Sequence, residues 1–268
     1  MDALTAAHSL ARRHGLPTRD AVVLKDGSNL LVHLAPAPVV VRVATFTAFI
    51  RVDPLPWLQR EVALASHLAA QGAAVVPPSS ELPPGPHAVG EWWLTAWQHV
   101  AHDPGAVPAA LDVLAALDEL RPALQAFSGD LPAYGPVAGD LDLALECCGR
   151  ASLLTAGQIA EMRRRRDDLR AVVAPLPMSA QHGDAHPRNV LVTQQGLVWN
   201  DFEDCCAASP LWDLATLARR DPSGAVREVA NERFGAEATA AMLGLRDLQA
   251  QVWTVLHGAR AALFPLSV

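Results

Sequence analysis

Over the first hundred residues the hydrophobic positions come in short strand-like runs, and after that they lengthen into helical stripes. Residues 21–25 read as a strand, the turn-forming Asp26-Gly27-Ser28-Asn29 follows, and residues 30–34 read as a second strand. A proline-containing link leads to a third strand at residues 39–44. After Asp53-Pro54, Leu58, Val62, Ala65 and Leu68 recur at helical spacing, and Gly72 closes that helix. The proline-rich stretch 77–86 is a loop, and residues 91–97 form another strand. Beyond His102 the periodicity predicts helices at 107–124, 141–148 and 155–173. The expected fold class is therefore α+β: a small, mostly β lobe carrying one helix over residues 1–98, and a larger, mainly helical lobe over 99–268.

Composition narrows the partners. Of 268 residues, 51% are hydrophobic and 18% charged, enough apolar material for a sizeable core and too much for a disordered chain. Net charge is −7, and the bases are all arginine except Lys25. No basic run interleaved with aromatics occurs, and the single cluster, Arg163 to Arg166, is short, which argues against nucleic acid as the main partner. No apolar stretch reaches the ~18 residues of a membrane span. Met1-Asp2-Ala3-Leu4 does not resemble a secretion signal, so the cytoplasm is the expected compartment. The adjacent pairs Cys147-Cys148 and Cys205-Cys206 suit neither bridging nor zinc and read as small buried side chains. Nothing calls for an obligate protein partner.

The densest chemistry lies in Gln181-His182-Gly183-Asp184-Ala185-His186-Pro187-Arg188-Asn189, followed by Leu197-Val198-Trp199-Asn200-Asp201. A strand ending in a carboxylate holds that group rigidly, and a carboxylate and an amide five residues apart on a tight loop can serve one metal and its substrate. Magnesium takes oxygen ligands, few of them from protein, with phosphate and water completing its shell. Asn189 and Asp201 supply such oxygens, which leaves Asp184 to meet an incoming hydroxyl. This division of labour suits phosphoryl transfer.

These residues resemble the aminoglycoside phosphotransferase family, small-molecule relatives of the protein kinases. The family's H-G-D-x-x-x-x-N stands at residues 182–189, its metal aspartate at Asp201, and its D-L-A helix start at Asp213-Leu214-Ala215. Upstream, residues 26–29 resemble the phosphate-covering hairpin, and Arg42 stands where the third strand carries its nucleotide-binding base. Glu61 matches the helix acid that pairs with that base. The resemblance implies a two-lobed protein-kinase-like fold and transfer of the γ-phosphate of ATP or GTP to a small-molecule hydroxyl. It implies Asp184 as the catalytic acid-base group and Asn189 and Asp201 as magnesium ligands. Arg42, Glu61, Ser28, Asn29 and the strand end at Gln98 and Val100 would serve the nucleotide. It further implies that His182 packs inside the loop and that Asp213 ties the loop through backbone hydrogen bonds. Two departures stand out. Arg42 replaces the kinase lysine, and Glu203 replaces the glycine of Asp-Phe-Gly, which implies no large flip of that loop.

Other readings stay open at this stage. An inactive relative would keep the fold and the nucleotide but lose transfer. His182, Asp184 and His186 also spell a pattern that could hold zinc in a metal-dependent hydrolase. Arg42 could be an exposed strand arginine, since alternation sets it opposite Val41 and Val43 without saying what that face meets. The acceptor is open among aminoglycosides, sugars, amino alcohols and other metabolites. Residues 103–162 hold nine acids against Arg121 and Arg150, a balance that would favour amine-bearing acceptors if it lined the pocket.

Overall fold

The computed structural model describes residues 1–51 and 53–264. The chain falls into two compact units: Met1–Ala101 with the segment from Arg260 on, and His102–Ala259.

The first unit begins with α1 (Ala3–Arg13), whose Asp2 cap accepts from the Thr5 N–H at 2.6 Å. The apolar runs, β-branched above all at Val39–Val43, then form β1 (Val22–Asp26), β2 (Asn29–His33) and β3 (Val39–Ala44). Next come α2 (Phe46–Arg51), α3 (Leu55–Ala70), β4 (His87–Val89) and β5 (Trp92–Gln98). The strands make one antiparallel sheet in the order β1-β2-β3-β5-β4. Alternation divides β3. Val39, Val41 and Val43 join Val32, Leu94, Ala96 and the α1 residues Ala6, Ala7 and Leu10 in one core. Arg42 points to the other face. The unit thus holds helices beyond the one that periodicity predicts. The buried face of α1 is mostly alanine, which contrasts too little with its neighbours to stand out.

The second unit is mainly helical: α4 (Ala110–Gln125), α5 (Gly139–Arg150), α6 (Ala156–Val173), α7 (Leu211–Ala218), α8 (Ala225–Phe234) and α9 (Ala236–Gly258). Two small antiparallel ladders interrupt the helices. One pairs β6 (Ser179–Gln181) with β9 (Cys206–Ala208), and the other pairs β7 (Val190–Thr193) with β8 (Gly196–Trp199). After α9, the short α10 (Arg260–Leu263) returns the chain to the first unit. Among the described residues no helix is long and apolar enough to cross a membrane. All four cysteines are unbridged and buried, and burial pushes the Cys148 thiol up to about 11.

Candidate active site

In the second unit, residues 182–189 link β6 to β7 and are fixed from several sides. The buried Asp213 carboxylate, on the first turn of α7, accepts from the backbone N–H groups of His182 and Gly183, each at 2.9 Å. Its burial pushes its pKa up, against the pull of His182 and of those two hydrogen bonds. The neighbouring Trp212 indole donates to the Gly183 carbonyl at 2.7 Å. Gly183 itself has φ +92°, and a Cβ there would meet the Asp204 carbonyl oxygen at 1.9 Å. Only glycine lets the two loops pass that closely.

His182 is fully buried between Trp199 and Phe202, at ring-centroid distances of 5.0 and 4.6 Å. One ring nitrogen accepts from the Asp184 N–H at 3.3 Å, so the other donates to the Asn200 carbonyl at 3.0 Å. Both nitrogens are committed to backbone. This corrects the hydrolase alternative, because His182 has no lone pair to offer zinc beside Asp184 and His186. The imidazole instead ties the loop to the chain around Asp201.

The Asp184 carboxylate is about one-third exposed (30%) and engaged at both oxygens. Oδ1 accepts from Arg246 at 2.7 Å; Oδ2 accepts from His186 at 3.2 Å and from the Asn189 amide at 3.3 Å. Burial alone pushes this carboxyl up. The His186 hydrogen bond and the Arg246 charge outweigh that effect and hold it well below the usual carboxylate range. His186 accepts the Arg188 N–H through its other nitrogen, which fixes the ring.

Asn189 also donates to the Asp184 carbonyl at 3.0 Å, so its amide oxygen turns away from Asp184. Its own carbonyl accepts from the Asn200 N–H at 3.0 Å and closes the neck of the β7–β8 hairpin. Asn189 and Asp201 therefore stand at the two sides of one hairpin mouth, although eleven residues of chain loop out between them. Asp201 has the left-handed φ of 65°, an uncommon conformation for a residue with a side chain. The donor set at this mouth, an amide oxygen and a carboxylate, fits magnesium, which takes few protein oxygens.

Sequence reasoning missed Arg246. It lies on α9, is almost fully buried, and its guanidinium sits 4.8 Å from the Trp212 ring centroid. Besides Asp184 it bonds Gln249 and the Gly183 carbonyl. The available signal was an arginine and a glutamine set into the buried stripe of Met242, Leu245, Leu248 and Val252.

In the first unit, Arg42 is 4% exposed and pairs with the buried Glu61 at 2.5 Å, its guanidinium 5.9 Å from the Trp57 ring. Arg42 is thus no solvent-facing strand arginine. The 26–29 turn is held by its backbone: the Ser28 carbonyl accepts from Thr45, and from both the N–H and the hydroxyl of Thr47, while Asn29 Oδ1 accepts from the Thr45 N–H. Arg260 adds a clamp, donating to Asp26 Oδ1 at 2.6 Å. At the far end of β5, the Gln98 N–H is committed to the Pro77 carbonyl, and the His99 N–H, just before Val100, to Pro38.

Fold and loop together define a kinase-like phosphotransferase. The chain belongs to the phosphotransferase enzyme family APH, whose sequence model matches residues 23–248. Solved structures share the fold. A choline kinase from Streptococcus pneumoniae is 15% identical with a TM-score of 0.65, covering 96% of this chain and 90% of its own. An amicoumacin kinase in complex with AMP-PNP, Ca2+ and Ami is 12% identical with a TM-score of 0.63, covering 94% and 86%. A thermostable mutant of an aminoglycoside phosphotransferase, in ternary complex with AMP-PNP and hygromycin B, is 12% identical with a TM-score of 0.62, covering 98% and 99%. A search of curated proteins finds no significant match.

Proposed function

We propose that this protein transfers the γ-phosphate of ATP or GTP to a hydroxyl of a small molecule. The observation that supports this most is the Asp184 carboxylate, oriented at both oxygens and bonded to Asn189, whose backbone closes onto the chain one residue before Asp201. In this reading the acceptor oxygen attacks the γ-phosphorus, the bond to the bridging oxygen breaks, and the hydroxyl proton passes to Asp184. A carboxylate held this acidic is a weak base. Its main work is to orient the hydroxyl and take the proton late, which suits a loose transition state. Asn189 and Asp201 would hold magnesium, which would supply charge neutralisation at the phosphates. Arg42, fixed by Glu61, contacts the α- and β-phosphates through a planar fork of donors. The backbone of Ser28 and Asn29 covers the phosphates, and Gln98 and Val100 meet the base.

An amine on the acceptor, the expectation from the acid-rich stretch 103–162, gains no support from the side chains. Asp118, Asp142, Glu146 and Glu161 pair with arginines, Asp103, Asp112, Glu119 and Asp130 are exposed, and Asp140 is half-buried in the first turn of α5. Their field is spread over surface and ion pairs.

Nucleotide consumption measured against a panel of hydroxylated acceptors tests the proposal. With a productive acceptor, Asp184→Asn should lower turnover about 10²–10⁴-fold while nucleotide still binds. Asp201→Asn should weaken magnesium–nucleotide binding as well. Near-normal turnover in folded Asp184→Asn would refute the assignment, and nucleotide binding with no transfer to any acceptor would mark an inactive relative.

A further inference from the structure

We propose that a hollow of about 380 Å³ between α6, α8, α9 and the end of α7 binds a small phosphate-bearing molecule. Three arginines from three different helical segments line it: Arg165 of α6, Arg219 just past α7, and Arg227 of α8. Asp247 is the only acid in the lining, and Ala218, Ala240 and Leu243 supply apolar surface. No residue of the 182–189 loop or of the Asp201 segment takes part. The site is independent of the phosphotransfer proposal.

The basic run at 163–166 shows why this hollow differs from an ordinary charged surface. Arg163 and Arg166 pair with Asp142, and Arg164 pairs with Glu161. Arg165 alone of the four makes no hydrogen bond or ion pair among the described residues, and it is the one that lines the hollow. The same contrast holds on α8, where Arg233 is bidentate to Asp118 while Arg227 has no such partner. Arg219 is partly committed: its Nε donates to Asp247 at 2.6 Å, which orients the guanidinium and leaves both terminal NH2 groups for another acceptor. In a chain of net charge −7, three guanidiniums facing one carboxylate form a local excess of positive charge.

The packing that creates the hollow is specific. A Cβ at Gly244 would meet Leu169 Cδ1 at 3.0 Å, so glycine lets α6 and α9 approach closely. Arg165 lies one helical turn before Leu169 and is carried to the rim by that approach. Guanidiniums present planar pairs of N–H donors that match phosphate oxygens, and donors from three segments can surround a tetrahedral dianion. The alanine and leucine surface favours an ester with a small apolar body over the bare ion.

Calorimetric titration of the full chain, with EDTA present and at about 50 mM salt to limit screening, tests the site with phenyl phosphate and inorganic phosphate as probes. Phenyl phosphate should bind, and more tightly than inorganic phosphate. The double variant Arg165→Glu/Arg227→Glu replaces two exposed side chains that make no hydrogen bond or ion pair among the described residues, so the fold should survive, as circular dichroism would show. Its affinity should fall at least about tenfold. Arg42→Ala and Asp201→Asn should bind the probe as the parent does. No binding by the parent, or unchanged affinity in the double variant, would overturn the proposal. Loss on Arg42→Ala with retention in the double variant would do the same, by moving the anion to the proposed nucleotide site.

Discussion

In the loop at 182–189, buried side chains of α7 and α9 grip the backbone and the Asp184 carboxylate, whereas the turn at 26–29 is held by Thr45, Thr47 and Arg260 beside an exposed strand. Asp213, Trp212, Arg246 and His182 all act on the first loop, and each is almost fully buried. The turn leans on Thr45, Thr47 and Arg260, and β1 beside it exposes Val22, Val23 and Leu24 by 52%, 44% and 46%. The difference follows from the two proposed tasks. A group that orients a hydroxyl loses rate with small displacements, so its supports must be stiff. A cover over phosphates must open for the nucleotide to enter and leave, so it needs fewer anchors.

Gly183→Ala should break the stiff side of this comparison most severely. The new methyl overlaps the Asp204 carbonyl in a left-handed backbone, so we expect about 2–4 kcal/mol of lost stability and near-complete loss of transfer. Thermal melts and turnover would check it, and a parent-like melting temperature would show that the two loops separate easily.

Arg246→Met comes next. Turnover should fall about 10–100-fold while nucleotide affinity changes less than about twofold, because the residue acts through Asp184. Arg246→Lys should recover part of the loss, since charge returns without the fork. A parallel fall in nucleotide affinity, measured by titration, would show that Arg246 supports the fold at large.

On the looser side, Arg260→Ala should raise the nucleotide KM about three- to tenfold and leave kcat within about twofold. Unchanged steady-state constants would mean that the turn needs no clamp.

The smallest effect is expected away from both loops, at the ion pair joining α4 to α8. The Arg233 hydrogen bond lowers the Asp118 pKa from its ordinary 3.8, against the opposing effect of burial. A carboxylate with a depressed folded-state pKa stabilises the protein above its unfolded value, and that contribution disappears as pH falls through the folded value. Arg233→Met should therefore melt about 1–3 °C below the parent near neutral pH. The gap should close as the pH drops below about 4. A gap that persists in acid would assign the effect to lost packing.

Much of this organisation was legible in the chain itself, because its signals are local. The β-branched runs, the Asp26 to Asn29 turn and the 3.6-residue stripes each record a conformation within a few residues. The eight-residue span from His182 to Asn189 matters because one short loop carries it. The pairing of Arg42 with Glu61 was expected from family resemblance, while the covering of that sheet face by α3 emerged only on folding.

What the tertiary structure alone decided lies at long sequence separation. Arg246 meets Asp184 across 62 residues, and Arg260 meets Asp26 across 234. The apolar stripe around Arg246 marks it as facing inward but not what it meets, since an arginine in a helix has the same propensity whether it faces water or a carboxylate. The four arginines at 163–166 look alike in sequence, yet packing gives three of them carboxylates and turns Arg165 into a hollow. Helical periodicity sets which side chains share a face; the approach of other helices, at Gly244 by the absence of a single methyl group, sets what that face meets.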